Sequence, residues 1–85
     1  MRIKIKLYGS KKCHKTNYYI TELKKYNLDF SFLDVVENEK YAEELKSLYE
    51  TRRINYPTLL LGDKKLRNPS ERELHKWLTK KGVIK

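Results

Sequence analysis

The sequence predicts an α/β domain in which helices cover both faces of a four-stranded mixed sheet. Three observations carry this. An alternating apolar/basic run near the N-terminus gives way to helical spacing, strand and helix patterns then follow in turn, and a Gly-Asp turn signal separates the last two strand patterns. At 85 residues the chain forms one domain, 1–85, with no room for a second core.

In order, Ile3, Ile5 and Leu7 alternate with Arg2, Lys4 and Lys6, so Arg2 to Tyr8 is a strand with one apolar face. From Thr16 the period becomes helical: Tyr19, Ile20, Leu23 and Tyr26 share one side, and Asn27 stops the helix. Asp29 to Val36, rich in aromatic and β-branched residues, is the second strand. Glu37 to Glu39 open a second helix, placing acids where the helix dipole favours them, with Tyr41, Leu45 and Leu48 as its apolar positions.

Beyond Thr51, Arg52 and Arg53, a proline opens the short apolar strand Tyr56 to Leu61, a place where its missing N–H costs no ladder bond. Gly62-Asp63 turns this strand into Lys64 to Arg67, forming a hairpin. The last helix starts at an N-cap, Ser70, with Glu73 completing a capping box and Leu74, Trp77 and Leu78 facing the core. The order is strand, helix, strand, helix, strand, strand, helix. A right-handed crossover makes the first two strands parallel and the hairpin adds two antiparallel ones. Lys4 and Lys6 strain this arrangement, because a central strand covered on both faces should be apolar throughout. Either their stems snorkel to the rim or that face is thinly covered.

Composition narrows the function classes. A single cysteine excludes an internal disulfide, and His14 and His75 make no metal-binding pattern, so no metal is expected. Arg2, Lys4 and Lys6 interrupt every apolar run of a would-be secretory leader, and no stretch reaches membrane-spanning length, which points to a reduced, cytoplasmic, monomeric protein without membrane contact. The net charge of +9 raises nucleic acid as a partner. Fifteen of the twenty basic residues are lysines spread over every segment, however, with no arginine-rich arm and no RNA-binding aromatic strand, so a solvated basic surface is the better reading.

Cys13 stands where the first strand hands over to the first helix. A thiolate there gains from the unpaired amides of the first helical turn and from Lys11, Lys12 and Lys15, so a lowered thiol pKa is expected. An unpaired cysteine is also a common buried filler, and local sequence leaves both readings open.

The element order, a cysteine after the first strand and a proline opening the third together resemble the glutaredoxins, small members of the thioredoxin fold, along the whole chain. Leu7-Tyr8-Gly9-Ser10-Lys11-Lys12-Cys13-His14-Lys15-Thr16 is similar to the segment in which their first strand leads into Cys-Pro-Tyr-Cys and a helix. The resemblance puts Cys13 in the nucleophile's place and Thr16 in that of the resolving cysteine. Tyr56-Pro57-Thr58 resembles the family's Thr-Val-Pro, whose proline is cis and faces the cysteine, which makes Tyr56 a main-chain contact for a bound peptide. Ser70 and Glu71 stand where the family has the acidic pair that holds the amino group of glutathione's glutamyl end, while Arg67 and Asn68 stand where it has two glycines. Ser10 stands where a basic residue is common, so Lys11 or Lys12 would substitute for it.

What the resemblance implies is a glutathione-dependent thiol-disulfide oxidoreductase in cell redox homeostasis. With one cysteine its chemistry is monothiol exchange on glutathione mixed disulfides: Cys13 as nucleophile, Thr16 and Lys12 supporting the thiolate, and Lys11, Tyr56, Pro57, Ser70 and Glu71 binding the substrate. Glutathione acts as co-substrate, and glutathionylated protein thiols are the partners. Three alternatives share the fold. One is a degenerate binding module without activity, favoured by the altered motif and lost glycines. The arsenate-reductase-like branch has an inserted helical region this chain lacks, and the cluster-sharing monothiol glutaredoxins have Cys-Gly-Phe-Ser after an extended loop, again lacking here.

Overall fold

The computed structural model describes residues 4–49 and 56–84. Its elements are β1 (Ile5–Gly9), α1 (His14–Lys25), β2 (Ser31–Asp34), α2 (Glu39–Ser47), β3 (Thr58–Leu61), β4 (Lys64–Arg67) and α3 (Glu71–Lys80). The order is the one the sequence predicts. The proposed strand residues Arg2 and Ile3, and the Thr51 to Arg53 stretch, lie outside the described residues.

The sheet runs β2-β1-β3-β4, with β1 parallel to β2 and antiparallel to β3, and β3 antiparallel to β4. Alternation along the strands sends side chains to opposite layers. Ile5, Leu7, Leu59, Leu61 and Leu66 pack against Tyr19 and Leu23 of α1 and Leu74 and Leu78 of α3. Tyr8 faces the other way and packs with Val35 and with Ala42 and Leu45 of α2. Helices therefore cover both faces, two on one and one on the other.

The thinner α2 layer accommodates Lys6, the one lysine within β1, while Lys4 precedes the strand and is exposed. Half-buried Lys6 runs its stem along the sheet and brings its ammonium 3.3 Å from Glu44 Oε1 on α2. Tyr8 donates to that same carboxylate oxygen at 2.7 Å. The Tyr8 hydroxyl is held protonated well above its ordinary range, chiefly by burial and also by the Glu44 bond. Glu44 is in turn held low, first by the hydroxyl it accepts. Tyr8 is thus a core residue on the α2 side.

Element ends shift from the sequence reading for identifiable reasons. The second strand stops at Asp34 instead of Val36, because the Asp34 carboxylate accepts the amides of Val36 (2.9 Å) and Glu37 (3.0 Å) and curls the chain into a turn. Asn38 then caps α2, accepting from the Lys40 amide at 3.0 Å, so the helix opens at Glu39 and not at Glu37. At the end of α1, Asn27 takes a left-handed φ of 56°, and the amides of Asn27 and Leu28 return to the carbonyls of Lys24 and Leu23. Gly82 (φ 72°) and Val83 close α3 in the same way on Thr79 and Leu78. In the hairpin, only Gly62 of the two turn residues has positive φ, 65°, the pattern of a type II′ turn.

Candidate functional site

The four strands bring a row of residues to one end of the sheet. Gly9 ends β1 beside Asp34 of β2. The antiparallel ladder pairs Tyr8 with Thr58, so its next step sets Pro57 opposite Gly9. Beyond Pro57, the Asn68 amide donates to the Pro57 carbonyl at 2.9 Å. Asp34, Gly9, Pro57 and Asn68 thus form one edge, and the loop carrying Cys13 leaves from it.

That loop is short and fully tied. The Cys13 amide donates to the Ser10 carbonyl at 3.0 Å, closing a tight turn over Lys11 and Lys12. The Lys12 amide donates to Ser10 Oγ (3.2 Å) and the Lys11 amide to Asp34 Oδ2 (3.3 Å). With two further amides from the Val36-Glu37 turn, the buried Asp34 carboxylate clasps both loops. Burial raises its pKa, but the amides of Glu37, Lys11 and Val36 and the nearby Lys11 charge outweigh this and leave it below the usual range.

The turn delivers Cys13 as the N-cap of α1, in extended conformation (φ −90°, ψ 121°), which starts the helix at His14, two residues before the sequence pattern does. The Cys13 side chain itself makes no capping hydrogen bond, and the first-turn amides lie near the sulfur as an electrostatic aid that favours a thiolate over a thiol. Cys13 is partly exposed. Its pKa is lowered foremost by the Thr16 hydroxyl; burial opposes this, and the amides of Thr16 and Lys15 and the Lys15 charge add to the lowering.

Thr16 is fully buried, and the Ser10 amide donates to its Oγ1 at 3.3 Å, so the hydroxyl accepts one bond and keeps its own hydrogen to donate. Gly9 makes room for it: a Cβ there would lie 2.4 Å from Thr16 Oγ1 and 2.5 Å from its Cγ2. The glycine that ends β1 lets the first turn of α1 settle onto the strand.

The other predicted site residues divide. The Tyr56-Pro57 bond is cis, with Pro57 buried and Tyr56 exposed. Ser70 caps α3, accepting from the Glu73 amide at 3.1 Å, and exposed Glu71 stands in the first turn. Lys11 directs its ammonium to Glu37 Oε2 at 3.2 Å, away from a free role at the thiol, and Lys12 is exposed. Among the described residues no group of His, Cys, Asp and Glu side chains is placed to hold a metal. Among the described residues no helix is long and apolar enough to cross a membrane.

Sequence reasoning missed Asp34 and the hydroxyl of Tyr19. A strand ending in Asp ahead of a turn carries a readable signal, the local Asx bond. Tyr19 carries none, since its ring already satisfies the helical core pattern. Its hydroxyl, near the end of the ring farthest from the backbone, donates to the Pro69 carbonyl.

The chain matches no protein-family model and no curated protein. Among solved structures it is similar to a thioredoxin-like protein, BC3987, in a single-substitution variant: TM-score 0.77 and 21% identity, covering 89% of this chain and 95% of that one. A second structure of BC3987 gives 0.73 and 20%, over 86% and 97%. The glutaredoxin (grx-1) of Archaeoglobus fulgidus gives 0.74 and 20%, over 87% and 84%. Likeness at these identities is likeness of fold, and the chain has the thioredoxin-like fold.

Proposed function

We propose that the protein is a thiol-disulfide oxidoreductase that works by a monothiol mechanism on glutathione mixed disulfides. The observation that carries this is the setting of Cys13: a partly exposed N-cap thiol whose pKa is lowered by the Thr16 hydroxyl, at the sheet edge that also bears Pro57. The glutaredoxin among the structural neighbours supports the same reading.

In the first step the Cys13 thiolate attacks the glutathione sulfur of the mixed disulfide. A Cys13–glutathione disulfide forms, the original disulfide breaks, and the protein thiol leaves as a thiolate that takes a proton from solvent. A second glutathione thiolate then attacks the glutathione sulfur, yielding oxidised glutathione and restoring Cys13. Thr16 and the amides of Lys15 and Thr16 stabilise the thiolate as attacking and leaving group, and the Lys15 charge attracts the anionic tripeptide. The main chain of exposed Tyr56, beside buried Pro57, offers an extended peptide its hydrogen bonds, and Ser70 and Glu71 at the start of α3 receive its glutamyl end. A reducing compartment such as the cytoplasm would supply the glutathione.

The test is glutathione release from a glutathionylated peptide, with intact mass after oxidised glutathione. One adduct on Cys13, and activity abolished in Cys13→Ser, are expected. Activity that survives Cys13→Ser, or a wild-type protein that gains no adduct, would reject the reading.

A further inference from the structure

Several lysines of this basic chain have a carboxylate partner, and Lys65 rests on Tyr49 and the Leu48 carbonyl. Lys6, Lys11, Lys25, Lys46 and Lys81 each reach a carboxylate within ion-pair distance. Three others behave differently. Lys64, at the start of β4, and Lys76 and Lys80, one turn apart on α3, bring their ammonium groups to 4.4, 5.9 and 5.1 Å from the centre of the Trp77 ring. Among the described residues no carboxylate pairs with any of the three.

One ammonium over an indole face is a common attraction. Three around one ring also repel one another, because groups this close to a shared centre lie within roughly one Debye length of each other at physiological salt. The net charge of +9 supplies no relief. The result is a compact cluster of positive charge with no carboxylate in ion-pair distance of it among the described residues.

We propose that Lys64, Lys76 and Lys80 around Trp77 form a binding site for a compact oligophosphate, a ligand with two or more contiguous phosphoryl groups. Lysine serves phosphate as a mobile point charge, and three gathered within 5.9 Å of one ring centre suit a small multivalent anion better than an extended nucleic-acid strand, which would call for charges in a line. The site lies away from Cys13. Lys64 pairs with Leu61, which pairs with Ile5, at the opposite end of the sheet from Gly9 and Pro57. It is independent of the chemistry proposed for the thiol.

Trp77 is the only tryptophan in the chain, so its fluorescence reports on the site alone. The whole protein is titrated with inorganic tripolyphosphate at constant ionic strength, with calorimetry as a second readout because removing a lysine alters the indole signal itself. Saturable binding is expected, weakened roughly tenfold or more in Lys76→Gln/Lys80→Gln. The charge-matched control Lys24→Gln/Lys40→Gln, whose lysines are exposed on α1 and α2, should retain wild-type affinity. Equal loss in both double variants would reduce the effect to net charge and overturn the proposal. So would failure of tripolyphosphate to saturate beyond matched sulfate, or binding of oligothymidylate where tripolyphosphate does not bind.

Discussion

Tyr19 on α1 is joined to Asn68 ahead of α3, its hydroxyl 3.2 Å from Asn68 Oδ1 while it donates to the neighbouring Pro69 carbonyl. Asn68 holds a left-handed φ of 45°, a conformation that asparagine tolerates better than most residues. Where the resemblance leads one to expect glycines, a polar side chain is instead fixed from the helix that Cys13 caps. Tyr19→Phe keeps the ring and strands a buried carbonyl, so a loss of about 1–2 kcal/mol in urea unfolding is expected. In the peptide assay its KM should rise while the pH dependence of Cys13 alkylation stays put.

The same hydroxyl predicts alkaline sensitivity. Burial, first, and then nearby negative groups raise Tyr19 to about 12 from an ordinary 10. The folded state therefore keeps its proton where the unfolded chain gives it up. The stabilisation is fully present below pH 10 and drains away as pH rises towards 12, a loss on the order of 2 kcal/mol. Tyr8 is raised too and acts in the same direction. Unfolding free energies across pH 8 to 11.5 check this, and Tyr19→Phe should flatten the slope.

Thr16→Val removes the donor with the largest effect on the thiol, so the Cys13 pKa should move up towards its ordinary 9. The variant also deprives the buried Ser10 amide of its acceptor, at about 1–3 kcal/mol. Thr16→Ser keeps the hydroxyl and should hold the pKa near the wild-type value. Iodoacetamide alkylation rates against pH separate the two.

Gly9→Ala should destabilise the fold by roughly 1–3 kcal/mol, because the new methyl meets a buried, β-branched side chain that has nowhere to turn. The penalty should shrink in a Thr16→Ala background. A double-mutant cycle of urea midpoints measures that coupling.

Asp34→Ala unties two loops at once and should cost on the order of 2–3 kcal/mol. Because the folded carboxyl is held below its unfolded value, its contribution is complete above about pH 4 and disappears as pH falls through the folded pKa. Wild type should thus lose stability on acidification in a way that Asp34→Ala does not.

The fold was legible because each element announces itself locally. Alternation marked β1, helical spacing marked α1 and α3, and Gly62 fixed the hairpin. Cys13 and Pro57 were legible as a pair because strand order brings their segments to one end of the sheet. What stayed hidden was long-range polar pairing. Nothing near Tyr19 in sequence signals a bond to Pro69, fifty residues on, and nothing near Lys11 tells whether its charge serves the thiol or Glu37. The early start of α1 was hidden for a related reason, since the cap is the cysteine itself and His14 and Lys15 face solvent, adding nothing to the apolar pattern.

The edge strand β4 has one further consequence. Lys64, Lys65 and Arg67 leave Leu66 as its only apolar residue, and Lys65 lies over the Tyr49 ring while donating to the Leu48 carbonyl. A second molecule aligning its own β4 antiparallel would set cation against cation along the open hydrogen-bonding rim, so the rim that completes the sheet also repels the copy that would extend it into an aggregate.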